Sequence, residues 1–325
     1  MAGVRGGDVP GHHVRSDPAG HRLRLLGPAR RSAHRAGHPR RTPGPAGRPA
    51  PDDDGGGRAA GGTGDTGARG APVTGAADVR STGPGRWFHR PAPWPDARLR
   101  LVCVPHAGAG AAAYGAWGDR LPADVELVGV RLPGRENRLR EPPFHDWPSL
   151  TGAFADALDE QVRSPYVLFG HSMGAMLVYE TVVRGTGRRP ERVILSGCRA
   201  PAVRRALPAI HGLPDERFRE ELGRLAGTPR EVLADPRLMA VLEPMLRADI
   251  RLAETWSHRD PPPVPVPVTT FRGADDEVAP AEAVAAWRTL APRGIRSHRV
   301  PGGHFCLHDR APEFFRLLAR ELSLC

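Results

Sequence analysis

From residue 98 onward the chain alternates short apolar runs with longer amphipathic stretches. That alternation is the pattern of a mostly parallel sheet covered by helices on both faces. Residues 98–104, 125–131, 166–169, 192–195, 266–272 and 295–300 read as strands. Tyr166-Val167-Leu168-Phe169 is apolar throughout, as a strand buried on both faces must be. Between the strands lie helical patterns. Over 149–162, for example, Leu150, Phe154, Ala157 and Leu158 recur at i, i+4, i+7 and i+8. Residues 201–260 break the alternation, with helical patterns and no strand. They read as an insertion of three helices, starting at Pro214 and Asp215, at Pro229 to Glu231 and at Pro236, with Leu238, Leu242, Met245 and Leu246 as an apolar face. An insertion between two strands of such a sheet is the usual construction of a lid over a site. A proline-rich return over 261–267 leads back into the sheet.

The N-terminal part, residues 1–83, is different in kind. Its first 80 residues are dominated by Gly, Pro, Ala and Arg, with no Phe, Trp or Tyr, and hold 13 Arg and 7 Asp, so that +6 of the formal net charge of +10 belongs to them. Such a segment cannot bury enough apolar surface to offset the entropy of ordering it, and disorder is expected. Its Arg are scattered and lack interleaved aromatics, which argues against nucleic-acid binding. Leu23-Arg24-Leu25-Leu26 is too short for a signal peptide, Asp52, Asp53 and Asp54 argue against a transit peptide, and no run is long enough to cross a bilayer. The expectation is a cytoplasmic enzyme domain over 84–325. Two accounts of the extension stay open: a genuine disordered segment, or upstream sequence brought in by an early start. All 46 basic residues are Arg, the mark of a GC-rich coding sequence in which spurious upstream frames are common. Cys103, Cys198, Cys306 and Cys325 show no C-x-x-C or zinc spacing and read as reduced thiols, the first two as small buried hydrophobes. No metal and no cofactor is expected.

The chemistry is announced by Gly170-His171-Ser172-Met173-Gly174, which follows the strand 166–169 and precedes a helical pattern over 173–183. A G-x-S-x-G match is common by chance. In strand–turn–helix context it is the nucleophile elbow of an α/β-hydrolase fold, in which a sharp turn exposes the serine hydroxyl. Ser172 is the candidate nucleophile. A serine hydroxyl needs a base, and His304, in Gly302-Gly303-His304 after the last strand, is in the expected place. His308 lies close enough to compete but falls one turn into the next helix, where it faces solvent. The acid that orients the histidine belongs after the preceding strand, where Gly273-Ala274-Asp275-Asp276 offers two carboxylates. Asp276 is preferred, with Asp275 as a solvated neighbour. The order Ser, Asp, His is that of α/β-hydrolases. No carboxylate stands in Ser196-Gly197-Cys198-Arg199, after the strand 192–195, where some relatives carry the acid. The oxyanion donors are assigned to the backbone N–H of Met173 and, from the loop Pro105-His106-Ala107-Gly108-Ala109-Gly110, of Ala107.

The same loop supports a rival from another class. Gly108-Ala109-Gly110-Ala111-Ala112-Ala113 satisfies the dinucleotide fingerprint after a strand, with Glu126 at a ribose-binding distance along the chain. That reading would leave the elbow, the acid and the histidine as coincidences. A Walker loop is excluded, since it needs a lysine.

Several stretches resemble one family, the stand-alone type II thioesterases that accompany polyketide synthases and non-ribosomal peptide synthetases. The resemblance runs from about Arg86 to the end and is carried by Arg86-Trp87-Phe88, Pro105-His106-Ala107-Gly108, Leu132-Pro133-Gly134-Arg135-Glu136, the elbow, Leu225-Ala226-Gly227-Thr228-Pro229, Leu246-Arg247-Ala248-Asp249 and Gly302-Gly303-His304-Phe305. The Leu-Pro-Gly-Arg-Glu element is the most discriminating; Ala109 departs from the family, where a glycine is usual. The resemblance implies hydrolysis of acyl groups from the phosphopantetheine thiol of acyl or peptidyl carrier proteins, clearing aberrant chains from the synthases, without a cofactor. Its beginning near Arg86 favours the early-start account of the extension, with Val73 or Val79 as the candidate starts, without closing the other. Another serine hydrolase or an acyltransferase is the alternative that the residues leave open.

Overall fold

The computed structural model describes residues 86–325 apart from Ser164, Thr186, Arg310 and the side chain of Asp309; the extension 1–83 lies outside the described residues. The strands are β1 (Phe88–His89), β2 (Leu99–Val104), β3 (Val125–Val130), β4 (Tyr166–His171), β5 (Arg192–Ser196), β6 (Val268–Gly273) and β7 (Ile295–Val300). The helices are α1 (Trp147–Gln161), α2 (Met173–Arg184), α3 (Asp215–Leu225), α4 (Arg230–Ala234), α5 (Pro236–Thr255), α6 (Ala281–Ala285), α7 (Cys306–Asp309) and α8 (Ala311–Leu322). One seven-stranded sheet results, in the order β1-β3-β2-β4-β5-β6-β7. Only β1 is antiparallel to its neighbour. This is the α/β-hydrolase arrangement. All six runs read from the sequence are strands; β1 escaped because two residues show no period.

Strand side chains alternate between two packed layers. Leu99, Leu101 and Cys103 of β2 enter one, and Val102 and Val104 the other; β4 divides Val167 and Phe169 from Leu168 in the same way. The first layer is closed by Phe314, Leu318 and Leu322 of α8 and by Tyr114 and Trp117 of a 3-10 helix, Ala111–Arg120. The second is closed by α1, α2 and α6. The start of α1 is set by Asp146, whose carboxylate accepts from Ser149 N at 2.8 Å. Pro148 sits in the first turn, where no intrahelical donor is lost.

Between β5 and β6, α3, α4 and α5 begin where the prolines placed them. Asp235 caps α5 by accepting from Arg237 N and Leu238 N. These helices share a small core of their own, which includes Phe218, Leu222, Met239, Met245 and Leu246. Leu238 is a correction to the expected apolar face: it is 45% exposed. The buried stripe of α5 runs through Met239, Met245, Leu246, Asp249 and Leu252, and Leu238 lies about 100° round the helix from Met239. All four cysteines are free thiols, and Cys103, Cys198 and Cys306 are buried. No helix among the described residues is long and apolar enough to cross a membrane.

Candidate active site

The chain folds Ser172 into a conformation that most residues avoid, with φ 54° and ψ −119°. Such a backbone costs about 1–3 kcal/mol and persists only where its surroundings over-determine it. Here the two elbow glycines and a neighbouring strand do so. A Cβ on Gly170 would stand 2.3 Å from Gly174 O, and one on Gly174 would stand 2.3 Å from Val104 O. Ser172 N donates to Ser196 O at the end of β5, at 2.8 Å. Ser172 therefore stands at the carboxyl edge of the sheet. Met173, the next residue, is the first of α2, and its N–H is one of those a helix cannot use internally.

The loops after β6 and β7 bring Asp276 and His304 together. They approach so closely that a Cβ on Gly273 would stand 2.0 Å from Gly303 O. Ala274 N donates to Val300 O at 2.7 Å and Asp275 N to Gly302 O at 2.9 Å. His304 Nδ1 lies 3.1 and 3.0 Å from Oδ1 and Oδ2 of Asp276. The carboxylate can only accept, so the shared proton sits on Nδ1, and Nε2 is left with a free lone pair that can accept a proton. Asp276 is itself fixed, its Oδ1 accepting from Val278 N and Ala279 N at 2.9 Å each. Asp276 is buried, whereas Asp275 and His308 are exposed.

Ser172, Ala107 and His304 line one cavity of about 100 Å³. Much of its wall is apolar, supplied by Met176 of α2, Leu222 and Leu225 of α3 and Ile250 of α5, with Arg199, Arg205 and Glu254 as its charged members. Arg205 bonds Glu254 at 3.1 Å. Beside it lies a wider groove, reached by His304 and Phe305 and bordered by Arg224 and Glu277.

Two further imidazoles pack around His304 and went unnoticed in the sequence. The ring of His171 lies 4.8 Å from that of His304, and the ring of His106 lies 5.8 Å from that of His171. Burial, followed by the charges of His308 and His304, pushes His106 down to about 3. Burial, followed by His304 and His106, also holds His171 well below the ordinary histidine value. Both stay neutral near pH 7, and of the three rings only that of His304 meets a carboxylate. Gly197 leaves room for this cluster. Its φ is +56°, and a Cβ there would stand 2.7 Å from Cε1 of His171 and 3.0 Å from Cε1 of His304.

The structure puts the dinucleotide-like loop to another use. Glu136 fills the space beside Gly110, its Oε1 accepting from Ala112 N at 2.8 Å, and a Cβ on Gly110 would stand 2.4 Å from that oxygen. Glu126 sits near the opposite end of β3, paired with Arg90 at 3.1 Å and with Arg100 at 3.0 Å.

Residues 99–322 match the thioesterase domain family. The chain is 34% identical over 242 residues to the gramicidin S biosynthesis protein GrsT of Aneurinibacillus migulanus, covering 74% of this chain and 94% of that protein. It is 36% identical to the thioesterase PikA5 of Streptomyces venezuelae, with 70% and 82% covered. Among solved structures, the type II thioesterase BorB from the borrelidin biosynthetic cluster superposes with a TM-score of 0.67 at 31% identity, covering 74% of this chain and 99% of that one. A parallel sheet carrying a strained serine elbow, a family match spanning most of the chain and relatives of this kind lead to one conclusion: the chain belongs to the thioesterase domain family, as a type II thioesterase of the α/β-hydrolase superfamily.

Proposed function

We propose that this thioesterase releases acyl groups from the phosphopantetheine thiol of acyl or peptidyl carrier proteins through a Ser172–His304–Asp276 acyl-enzyme mechanism. The observation that carries the reading is the bond from His304 Nδ1 to a buried Asp276, with His304 and the strained Ser172 lining one cavity. Ser172 Oγ attacks the thioester carbonyl carbon as His304 Nε2 takes the hydroxyl proton. The negative oxygen of the tetrahedral adduct accepts from Met173 N–H and Ala107 N–H. Two neighbours of Ala107 favour it as donor: Gly108 N is engaged by Asp249 at 2.8 Å and Ala109 N by His106 O at 3.1 Å. When the adduct collapses, the C–S bond breaks and the pantetheine sulfur leaves with the proton held by His304. A water, deprotonated by the same nitrogen, then attacks the acyl-enzyme and frees Ser172 and the carboxylic acid.

Two of the relatives named above belong by name to gramicidin S biosynthesis and to the borrelidin biosynthetic cluster, which favours carrier-bound substrates. Outside the first 80 residues the chain still has a surplus of positive charge, +4 of the +10, suited to steering acidic carrier proteins in the cytoplasm. In this reading the helices between β5 and β6 form the lid. Purified protein incubated with acyl carrier proteins of varied chain length, followed by intact mass, should lose the acyl group to water. Ser172→Ala should abolish the loss. Undiminished hydrolysis by that variant would overturn the mechanism, and release only to an added amine or alcohol would make the protein a transferase.

A further inference from the structure

Two motifs of the chain, Leu132 to Glu136 and Leu246 to Asp249, take no part in the reaction just described. In the structure they meet. Arg135 Nη1 and Nη2 bind Asp249 Oδ2 and Oδ1 at 2.7 and 2.9 Å, a two-pronged ion pair with both side chains about 5% exposed or less. The pair does not end on itself. Arg135 Nη1 also donates to Ala109 O at 2.8 Å, and Asp249 Oδ2 also accepts from Gly108 N at 2.8 Å. The backbone flanking Ala107 on its C-terminal side is thus gripped twice, once by a carbonyl and once by an N–H.

Contacts from the same helix press on the same loops. Gly108 adopts φ +80°, and a Cβ there would stand 2.5 Å from Cδ2 of Leu246. Gly134, with φ +82°, leaves 3.0 Å between its own notional Cβ and Cγ of Met245. An ion pair whose only use was to glue α5 to the body would not need the peptide groups of residues 108 and 109.

We infer that Arg135 and Asp249 are positioning residues: together they hold the 106–109 turn so that Ala107 N–H faces the oxyanion, and they make that geometry depend on α5 being seated. The inference rests on the proposed mechanism. It divides the insertion into a fixed part, α5, and a part free to move, α3 and α4, because lifting α5 would strip a buried charge pair and release the oxyanion loop together.

The test separates transition-state from ground-state binding. Arg135→Lys keeps a charge beside Asp249 but loses the fork. Asp249→Asn removes the charge, and the double variant Arg135→Met, Asp249→Leu removes the pair without stranding either member. Each is compared with the parent enzyme on an acyl-carrier substrate, on an acyl trifluoromethyl ketone, whose adduct with serine carries the oxyanion, and on a non-hydrolysable pantetheine amide. Folding is followed by thermal melting, and Arg135→Lys serves where the others do not fold. The expected result is a fall in kcat of about 10²–10³, as for loss of one oxyanion donor. KM should stay near the parent value, trifluoromethyl ketone affinity should fall in step with kcat, and amide affinity should change less than about twofold. Folded variants with parental kcat and ketone affinity would overturn the inference, as would equal losses for ketone and amide. Ser172→Ala run alongside tells the two readings apart. If it is inert while the Arg135 and Asp249 variants are fully active, only this inference fails; if it is active, the parent mechanism fails.

Discussion

Asp275 and Asp276 are adjacent in the chain and opposite in environment. Asp276 is buried, accepts two backbone N–H bonds and meets His304, while Asp275 is exposed and contributes only its backbone to the loop pairing. Replacing Asp276 with Asn should cost about 10⁴ in kcat, because an amide no longer fixes the tautomer and does not stabilise the imidazolium. Asp275→Asn should stay within about twofold on this account of a solvated neighbour. Steady-state rates of the two variants on one acyl-carrier substrate decide it, and a larger loss at Asp275 would reverse the assignment. The place of the carboxylate that meets His304 was legible in the sequence, since of the two strand ends where such an acid can stand only the one before the histidine strand offers a carboxylate. Which of two carboxylates turns inward was only a preference, because the answer depends on Gly273 packing against Gly303, a contact across the sheet edge. The same holds for Gly197. It marked only the missing carboxylate after β5, and its role as the gap for two imidazole rings needs the rings in position.

Among elements, the insertion shows most clearly what pattern reading reaches. The starts of α3, α4 and α5 follow from proline and Asp235 chemistry, which is local. The face that α5 buries is set by the loops beneath it, and Leu238 was misread for that reason. The C-terminal end of α5 and the residues just after it are tied to the body at several points. Trp147 Nε1 donates to Leu252 O at 3.0 Å, and Glu180 Oε1 accepts from Trp256 Nε1 at 2.6 Å, with His258 Nε2 also 2.6 Å away. By contrast, α3 and α4 pack on the small core they share with α5. Hydrogen exchange should therefore show amides of α3 and α4 exchanging faster than those of residues 246–255 in α5. Equal protection across the insertion would contradict a division into fixed and moving parts.

At the scale of the molecule, burying neutral histidines beside the site makes the whole fold sensitive to acid. His106 is held down to about 3, and His171 is also held low. Below the unperturbed histidine value of about 6.5 the unfolded chain takes up protons that the folded chain refuses, so stability falls with pH, for His106 until about 3. Between pH 6.5 and pH 5 the His106 ring costs up to roughly 2 kcal/mol, and His171 adds to the loss in the same direction. Thermal melts at about pH 7.5 and pH 5 should show a clear drop for the parent protein and a smaller one for His106→Phe. An unchanged slope would count against the buried-imidazole account. The placing of the chemistry also has a temporal side. Ser172 follows β4, Asp249 lies in α5, Asp276 follows β6 and His304 follows β7, the last strand among the described residues and one edge of the sheet. A chain emerging from the ribosome makes Ala107 and Arg135 before Ser172, Asp249 and Asp276 after it, and His304 last of these. On the proposed mechanism it stays without hydrolytic activity through most of its synthesis, until the loop after β7 brings His304 to Asp276.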